Sequence, residues 1–536
     1  MHGCGLRLQV AKPSEAAEPD ERKPEVSAKR PNILLFFTDQ QRADTIGALG
    51  NPVIRTPAMD RFCREGVAFD RCFTPSPVCV SARCSLVTGL PPHKTGCCDN
   101  GIANPQDVPS FMERLADAGY QTHGVGKMHF HPDSKRMWGF ESRDFSEEAA
   151  AAMDFREFLK ANGYDYVMDP HGVRSEMYYI PQPSQLPARL HNTTWVADKS
   201  IEFLKRRDRK RPFFLWTSFI KPHPPFESPV PWNKLYRTAE MAPPHRPEGF
   251  ENLLTYWNRV QNRYKYRDHG YDELLVRTIR AAYYACVSFI DYNVGRVLEA
   301  LGDETDDTLI VFTSDHGEML GDYGSFGKRC MLDAAARVPL IARWPGQLPA
   351  GLRCGTPASL QDLWRTFLTA GGADDSGPDA RDSVNLVELA SDSPPRDAVF
   401  SQFQQGQHAA YLAATATQKY VFSAPDQREW FFDASDDPAE TRDRAGNPRY
   451  NDGLAELRRR LIRRFQADGY TEPLDGDGWR EHPRLSMPAN PDAGLLFQDT
   501  PDLQARIDAL GPYARKVTVG PKGSLGLLDT KGKTHK

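Results

Sequence analysis

Four short apolar runs in this 536-residue chain break off into side chains that can ligate ions, bind anions or move protons. "NILLFFTD" (32–39) ends on Asp39, with Gln40 next. "YQTHGVGKMHF" (120–130) delivers Lys127 and His129, and "RPFFLWTSFIKPH" (211–223) delivers Lys221 and His223. "DTLIVFTSDHGEMLGD" (307–322) delivers Asp315 and His316, with Lys328 shortly beyond. Each run reads as a strand, and a continuous apolar run such as the first is what a strand buried on both faces requires. "VPLIARWP" (338–345) is a further strand. Helical spacing fills "VPSFMERLADAG" (108–119), closed by Gly119, and the long stretch at 272–301. Strands alternating with helices predict an α/β fold: a mixed, mainly parallel central sheet flanked by helices. In such a sheet ligands sit beyond the carboxyl ends of the strands, so the four groups would share one edge.

From about residue 395 the pattern changes. "AVFSQF", "HAAYLAA", "QKYVFS" and "EWFFDAS" are short and closely spaced, which predicts a small antiparallel sheet, and "GLAELRRRLIRRFQADG" (453–469) predicts a helix after it. The expected division is a disordered leader (1–30), a catalytic α/β domain (31–394), a C-terminal antiparallel-sheet subdomain (395–470) and an extension (471–536). The leader is polar and proline-bearing and lacks the apolar core of a secretory signal, so the expected location is cytoplasmic, or periplasmic or secreted if that leader is incomplete. A net charge of -4 provides no basic excess for nucleic acid or an anionic membrane, and runs such as "ILLFF" are too short to span a bilayer. The ten cysteines are scattered, with no paired metal-finger spacing, and most read as buried thiols.

In "SPVCVSARCSLVTGL" (76–90), Cys79 stands four residues before Arg83, at the start of a helical stretch. A helix N-terminus favours an anion. Two carboxylates with neutral nitrogen or oxygen donors suit a hard divalent cation such as calcium or magnesium. Basic side chains and a metal together would hold a tetrahedral anion, and two histidines would move protons near neutral pH. Singly, each motif has an ordinary reading: a capped strand end, an Asp-rich turn, a solvated loop, a rigid proline turn, a buried thiol. It is their joint placement at one sheet edge that points to a site.

Together "PNILLFFTDQQR", "PVCVSARCSLVTGLPPHKTG", "GVGKMHF", "FIKPHPPF" and "TSDHGEMLGDYGSFGK" resemble the type I (formylglycine-dependent) sulfatase family of the alkaline-phosphatase superfamily, over roughly residues 31–450. "WFFDASDDPAETRD" is similar to the family's C-terminal subdomain. The resemblance implies an alkaline-phosphatase-like fold and a sulfuric ester hydrolase acting on aryl, alkyl or carbohydrate sulfates. It implies that a formylglycine-generating enzyme oxidises Cys79 to Cα-formylglycine. One hydroxyl of the hydrate would attack sulfur, and the other would collapse to the aldehyde and expel sulfate. By the same resemblance Asp39, Gln40, Asp315, His316 and modified Cys79 would hold one calcium or magnesium ion. Arg83 would orient the hydrate, Lys127 and Lys328 would bind sulfate oxygens, His129 would take the proton of the second hydroxyl, and His223 would protonate the leaving oxygen. Asn100 and Lys221 would be further substrate contacts.

Two departures matter. The family's core is Cys-x-Pro-x-Arg or Cys-x-Ala-x-Arg, whereas Ser81 stands at the central position here, followed by a matching "LVTG". Gln40 and His316 replace the acidic and amide ligands of many relatives and resemble the choline-sulfatase and phosphonate-hydrolase branch, while Lys127 and His129 favour sulfate. Three readings stand: a sulfatase, a phosphonate or phosphate ester hydrolase on the same scaffold, and a non-enzymatic anion- or glycan-binding relative with unmodified Cys79. The expected partner is a small sulfated molecule or sulfated glycan, with no nucleic acid and no membrane; oligomeric state is open. The aromatic- and Arg-rich stretch from about 131 to 270 is expected to build the pocket wall or to fill the core.

Overall fold

Strand β1 (Asn32–Asp39) sends its side chains alternately into two cores. Leu34 and Phe36 enter one apolar cluster, and Ile33, Leu35 and Phe37 enter another. That is the period-2 pattern of a strand covered on both faces. The structure is a computed structural model that describes residues 30–148, 153–264, 272–378 and 381–487, with short pieces at 489, 498–499, 503–513, 527–528 and 534–535. Residues 1–29 of the expected leader and much of the expected extension beyond 487 lie outside the described residues.

The main sheet adds β2 (Val67–Phe69), β3 (Gln121–Gly126), β4 (Ser142–Phe145), β5 (Phe213–Pro222), β6 (Thr308–Ser314), β7 (Leu340–Arg343) and β8 (Leu352–Cys354). Their spatial order is β8-β2-β7-β6-β1-β5-β3-β4. β1 pairs in parallel with β5 and β6, β3 with β5 and β4, and β2 with β8, while β7 runs antiparallel to both its neighbours. The sheet is therefore mixed and mainly parallel, as the alternation of strands and helices predicts.

Helices cover both faces. On one side α1 (Pro57–Glu65), α4 (Asn192–Arg206) and α5 (Glu273–Leu301) bring Met59, Trp195 and Ile290 against Leu34 and Phe36. On the other, α2 (Cys79–Thr88), α3 (Phe111–Asp117) and α6 (Asp362–Gly371) bring Leu86, Phe111 and Trp364 against Leu35 and Phe37. The helix expected over 108–119 is shorter because Ser110 caps it. The Ser110 hydroxyl accepts from the Glu113 N–H at 3.0 Å, and the Glu113 carboxylate accepts from the Ser110 N–H at 2.7 Å.

A separate four-stranded sheet holds β9 (Val399–Phe403), β10 (Ala410–Ala414), β11 (Gln418–Ser423) and β12 (Arg428–Asp433), antiparallel in chain order. One face packs Tyr411, Tyr420 and Phe431 under Leu457, Leu461 and Phe465 of α7 (Asn451–Ala467). The other face packs Leu412, Val421 and Trp430 against Phe73, Met331 and Leu332 of the main body. Among the described residues no helix is long and apolar enough to cross a membrane.

Candidate active site

β1 and β6 are parallel neighbours, with Thr38 opposite Ser314. The next residue of each strand line is therefore an aspartate, and Asp39 and Asp315 emerge side by side, both fully buried. Asp315 Oδ1 is fixed by two backbone N–H donors, Gln40 and His316, each at 2.9 Å. Cys79 opens α2, whose N-cap, Val78, has no side chain to offer. Asn100 supplies what the cap lacks: its Oδ1 accepts from the Val80 N–H at 2.9 Å.

The donor atoms of Asp39, Cys79, Asp315 and His316 all lie within 4.8 Å of one another. Cys79 Sγ is 3.2 Å from His316 Nε2 and 3.7 Å from Asp39 Oδ1. His316 Nδ1 lies 3.0 Å from the Gly317 carbonyl, which fixes the proton on Nδ1 and leaves the Nε2 lone pair facing the cluster. Two carboxylates, an imidazole lone pair and a fourth residue at a helix start form a donor set that fits a divalent cation. The electrostatics agree. Burial and the charge of Asp39 push the Asp315 carboxyl up, to about 6. Burial also raises Asp39, but Lys127, His223, Lys328 and Arg83 outweigh it and hold Asp39 well below the usual carboxylate range. A cation between the two would hold both ionised.

Gln40 shares this edge. Its Nε2 donates to Glu318 Oε2 and to the Tyr179 hydroxyl, the latter at 3.4 Å, so its Oε1 faces the other way and accepts from Lys328 Nζ at 2.8 Å. Lys328 Nζ also lies 2.9 Å from Cys79 Sγ. The Lys328 backbone is clamped by Gln261, whose amide takes both its N–H and its carbonyl.

Arg83, one helical turn beyond Cys79, ties three strand ends together. Its Nε donates to Asp315 Oδ2 at 3.0 Å, its Nη2 to Asp39 Oδ2 at 3.2 Å, and its Nη1 to the Lys127 carbonyl at 2.6 Å and Ser218 Oγ at 3.2 Å. Lys127 Nζ pairs with Asp39 Oδ2 at 2.6 Å and with Glu148. Lys127 gets there because Gly126 adopts φ 86°, and a Cβ at that position would collide with the Ser218 carbonyl. Burial and Asp39 push the Cys79 thiol up, but Lys328, Lys127 and His316 outweigh them and hold it well below its ordinary value. Cations therefore crowd this position, and they would stabilise an anion placed there.

His223 approaches from β5 with Nδ1 2.7 Å from the Pro224 carbonyl and 3.5 Å from Glu148 Oε2, and Nε2 3.5 Å from the Tyr178 hydroxyl. Burial and Lys328 push its pKa well down despite Glu148, which favours the neutral imidazole. His129 has φ 55° and its N–H donates to Glu147 at 2.8 Å, while its ring Nδ1 is buried without a hydrogen-bond partner among the described residues.

Lys221 departs from expectation. Its ammonium is turned to the His171 and Pro225 carbonyls, at 2.9 and 2.7 Å, and to Glu227 at 3.1 Å. The buried Glu227 carboxylate demands a counter-charge, so Lys221 is anchored there rather than brought to the Cys79 cluster. Sequence reasoning missed Glu148, Arg174, Tyr178, Tyr179, Gln261 and Glu318. Glu318, in "SDHGE", sits beside a motif already in hand; the others carry no local signal and reach the site through tertiary contacts.

Buried strand-end carboxylates, an imidazole, a cysteine at a helix start and surrounding cations form a pocket edge suited to a tetrahedral anion. The sulfatase family model matches residues 31–373, and the model for the C-terminal part of N-sulphoglucosamine sulphohydrolase matches residues 321–467. The chain belongs to the sulfatase family. It is 28% identical to an arylsulfatase of Clostridium perfringens over 83% of this chain and 96% of that protein. It is 30% identical to a choline-sulfatase of Rhizobium meliloti over 78% of this chain and 83% of that protein. Its fold matches the crystal structure of a phosphonate monoester hydrolase of Agrobacterium radiobacter with a TM-score of 0.72 and 25% identity, covering 84% of this chain and all of that one. The fold is thus that of the alkaline-phosphatase superfamily, and the protein is a sulfatase-family enzyme.

Proposed function

We propose that the protein hydrolyses a sulfate monoester, aryl, alkyl or carbohydrate, through a Cα-formylglycine made from Cys79 by a formylglycine-generating enzyme. The observation that carries this reading is the position of Cys79 Sγ, 2.9 Å from Lys328 Nζ and 3.2 Å from His316 Nε2, within one cluster with Asp39 and Asp315. Asp39, Asp315 and His316 would hold one calcium or magnesium ion, with Gln40 Oε1 beside them. The aldehyde hydrate would supply two hydroxyls on one carbon, one to attack sulfur and one to release sulfate, and the cation would lower the pKa of an oxygen it holds.

The chain's own residues do the rest. Arg83 fixes both ligand carboxylates and orients the residue one turn before it. Lys127 and Lys328 neutralise sulfate oxygens, and Asn100 steadies the first turn of α2, close to the anion. His129 takes the proton whose loss releases sulfate, a contribution typically worth ~10²–10⁴-fold. Burial keeps His223 neutral in the free site; it would take up a proton with the bound substrate anion, whose charge favours the imidazolium, and hand it to the leaving oxygen. The phosphonate reading draws on the Agrobacterium radiobacter fold neighbour. The test compares sulfate, phosphate and phosphonate esters of one alcohol, using protein matured with its modifying enzyme. Sulfate is expected to be cleaved fastest. His129→Ala should accumulate sulfated enzyme, and His223→Ala should hurt most with poor alkyl leaving groups. Equal or faster phosphonate cleavage by the wild type would favour the second reading.

A further inference from the structure

Glu148 has no part in the mechanism above, yet its carboxylate stands among the cations that would receive the substrate anion. Oε1 takes Lys127 Nζ; Oε2 takes Arg174 Nη2 at 2.6 Å and lies 3.5 Å from His223 Nδ1. The Glu148 side chain keeps 13% exposure, while Lys127, Asp39 and Arg83 have none, so Glu148 lies on the open side of Lys127. Arg174 is itself held by Gln498 Oε1 at 3.3 Å, and the adjacent Ser175 hydroxyl donates to Asp499 Oδ1 at 2.6 Å.

Lys127 is therefore shared between Asp39 and Glu148 and meets an incoming anion with only part of its charge. Around the nucleophile position Arg83, Lys127, Lys328 and Arg174 face Asp39, Asp315 and Glu148. Removing the Glu148 charge would make the site one unit more positive. A sulfate monoester and a phosphonate monoester each carry one negative charge, whereas a phosphate monoester carries nearly two at neutral pH. A fixed carboxylate beside the anion repels the second charge on top of the first.

We propose that Glu148 is a charge-selecting residue that tunes the site to monoanionic esters and against dianionic phosphate monoesters. The proposal rests on the reading of this site as an ester hydrolase for tetrahedral oxyanions.

The experiment measures kcat/KM for 4-nitrophenyl sulfate, 4-nitrophenyl phosphate and 4-nitrophenyl phenylphosphonate, which share one leaving group, with matured wild type and Glu148→Gln. The expected result is that the phosphate-to-phosphonate ratio rises about tenfold or more in Glu148→Gln, equivalent to about 1.4 kcal/mol. The sulfate-to-phosphonate ratio stays fixed, and Glu148→Asp keeps the wild-type ratios. Ratios within one preparation are independent of the active fraction. Should Glu148→Gln fail to fold, Arg174→Gln, which leaves the Glu148 charge less compensated, is expected to lower the same ratio. A phosphate-to-phosphonate ratio that stays at the wild-type value in Glu148→Gln, with all three substrates rising or falling in parallel, would overturn the proposal. A wild type that cleaves the phosphorus esters but not the sulfate would sink the sulfatase reading alone, because the phosphate-to-phosphonate ratio still tests Glu148.

Discussion

Arg83 Nε donates to Asp315 Oδ2 at 3.0 Å, and neither side chain has any exposure to solvent. The same guanidinium reaches Asp39, so one buried cation compensates the two carboxylates that end neighbouring strands. Removing one partner of such a group leaves uncompensated charge inside the protein, at a cost of about 3–5 kcal/mol. Arg83→Ala should lose stability of that order in a denaturant titration, together with nearly all activity. A loss below about 1 kcal/mol would mean that the carboxylates are compensated elsewhere.

Metal removal follows from the same cluster. Exhaustive chelation should abolish activity and lower the thermal midpoint, because an ion that binds only the folded chain stabilises it by mass action. Calcium or magnesium should restore both. Asp315→Asn should blunt the restoration. Full activity after chelation would remove the ion from the mechanism.

Gly126 controls whether Lys127 reaches Asp39. Its φ of 86° and the nearby Ser218 carbonyl leave no room for a Cβ. Gly126→Ala should destabilise by about 2 kcal/mol or more and depress kcat/KM further than stability alone explains. Unchanged kinetics in the folded variant would show that Lys127 needs no such approach.

Glu227 gives a pH signature away from the Cys79 cluster. Burial raises its carboxyl, but His191 and Lys221, at 3.0 and 3.1 Å, outweigh that and bring it to about 2. In the unfolded chain it would titrate near about 4.3. Its stabilising contribution is complete above the unfolded value and is lost as pH falls from about 4.5 towards about 2, because the unfolded chain binds the proton first. Glu227→Gln should be less stable than wild type at neutral pH and should lose less stability on acidification through that window. Parallel losses in unfolding titrations at pH 6 and pH 3 would contradict this.

The strands that build the site were legible because each is an uninterrupted apolar run with a chemical terminus. "NILLFFTD" reads as a strand covered on both faces, and Asp39 and Asp315 meet because β1 and β6 are parallel neighbours. The short strands β2, β4 and β8 were not legible, since at three or four residues they carry no periodicity. The helix α4 was missed because "NTTWVADKSIEFLKR" opens on β-branched and polar residues, and its burial comes from packing on α5 and β5. Lys221 shows no local signal for where its ammonium goes: its contacts with Glu227 and the His171 and Pro225 carbonyls come from the fold alone. Glu148 and Gln261 carry no motif at all, and their placement beside Lys127 and Lys328 exists only in three dimensions.

The proposed chemistry depends on what Cys79 becomes. Ser81 departs from the family's core motif, and in the folded chain its hydroxyl donates to the Cys97 carbonyl at 2.5 Å. The most direct measurement is peptide mass spectrometry on the tryptic fragment from Cys72 to Arg83, taken from protein co-produced with a formylglycine-generating enzyme and assayed in parallel for sulfate release. The expected result is an aldehyde or its hydrate at position 79, in a fraction that rises in proportion to specific activity across preparations. Full activity from protein carrying only the thiol at Cys79, or an aldehyde-bearing protein that releases no sulfate from any sulfate monoester, would contradict it.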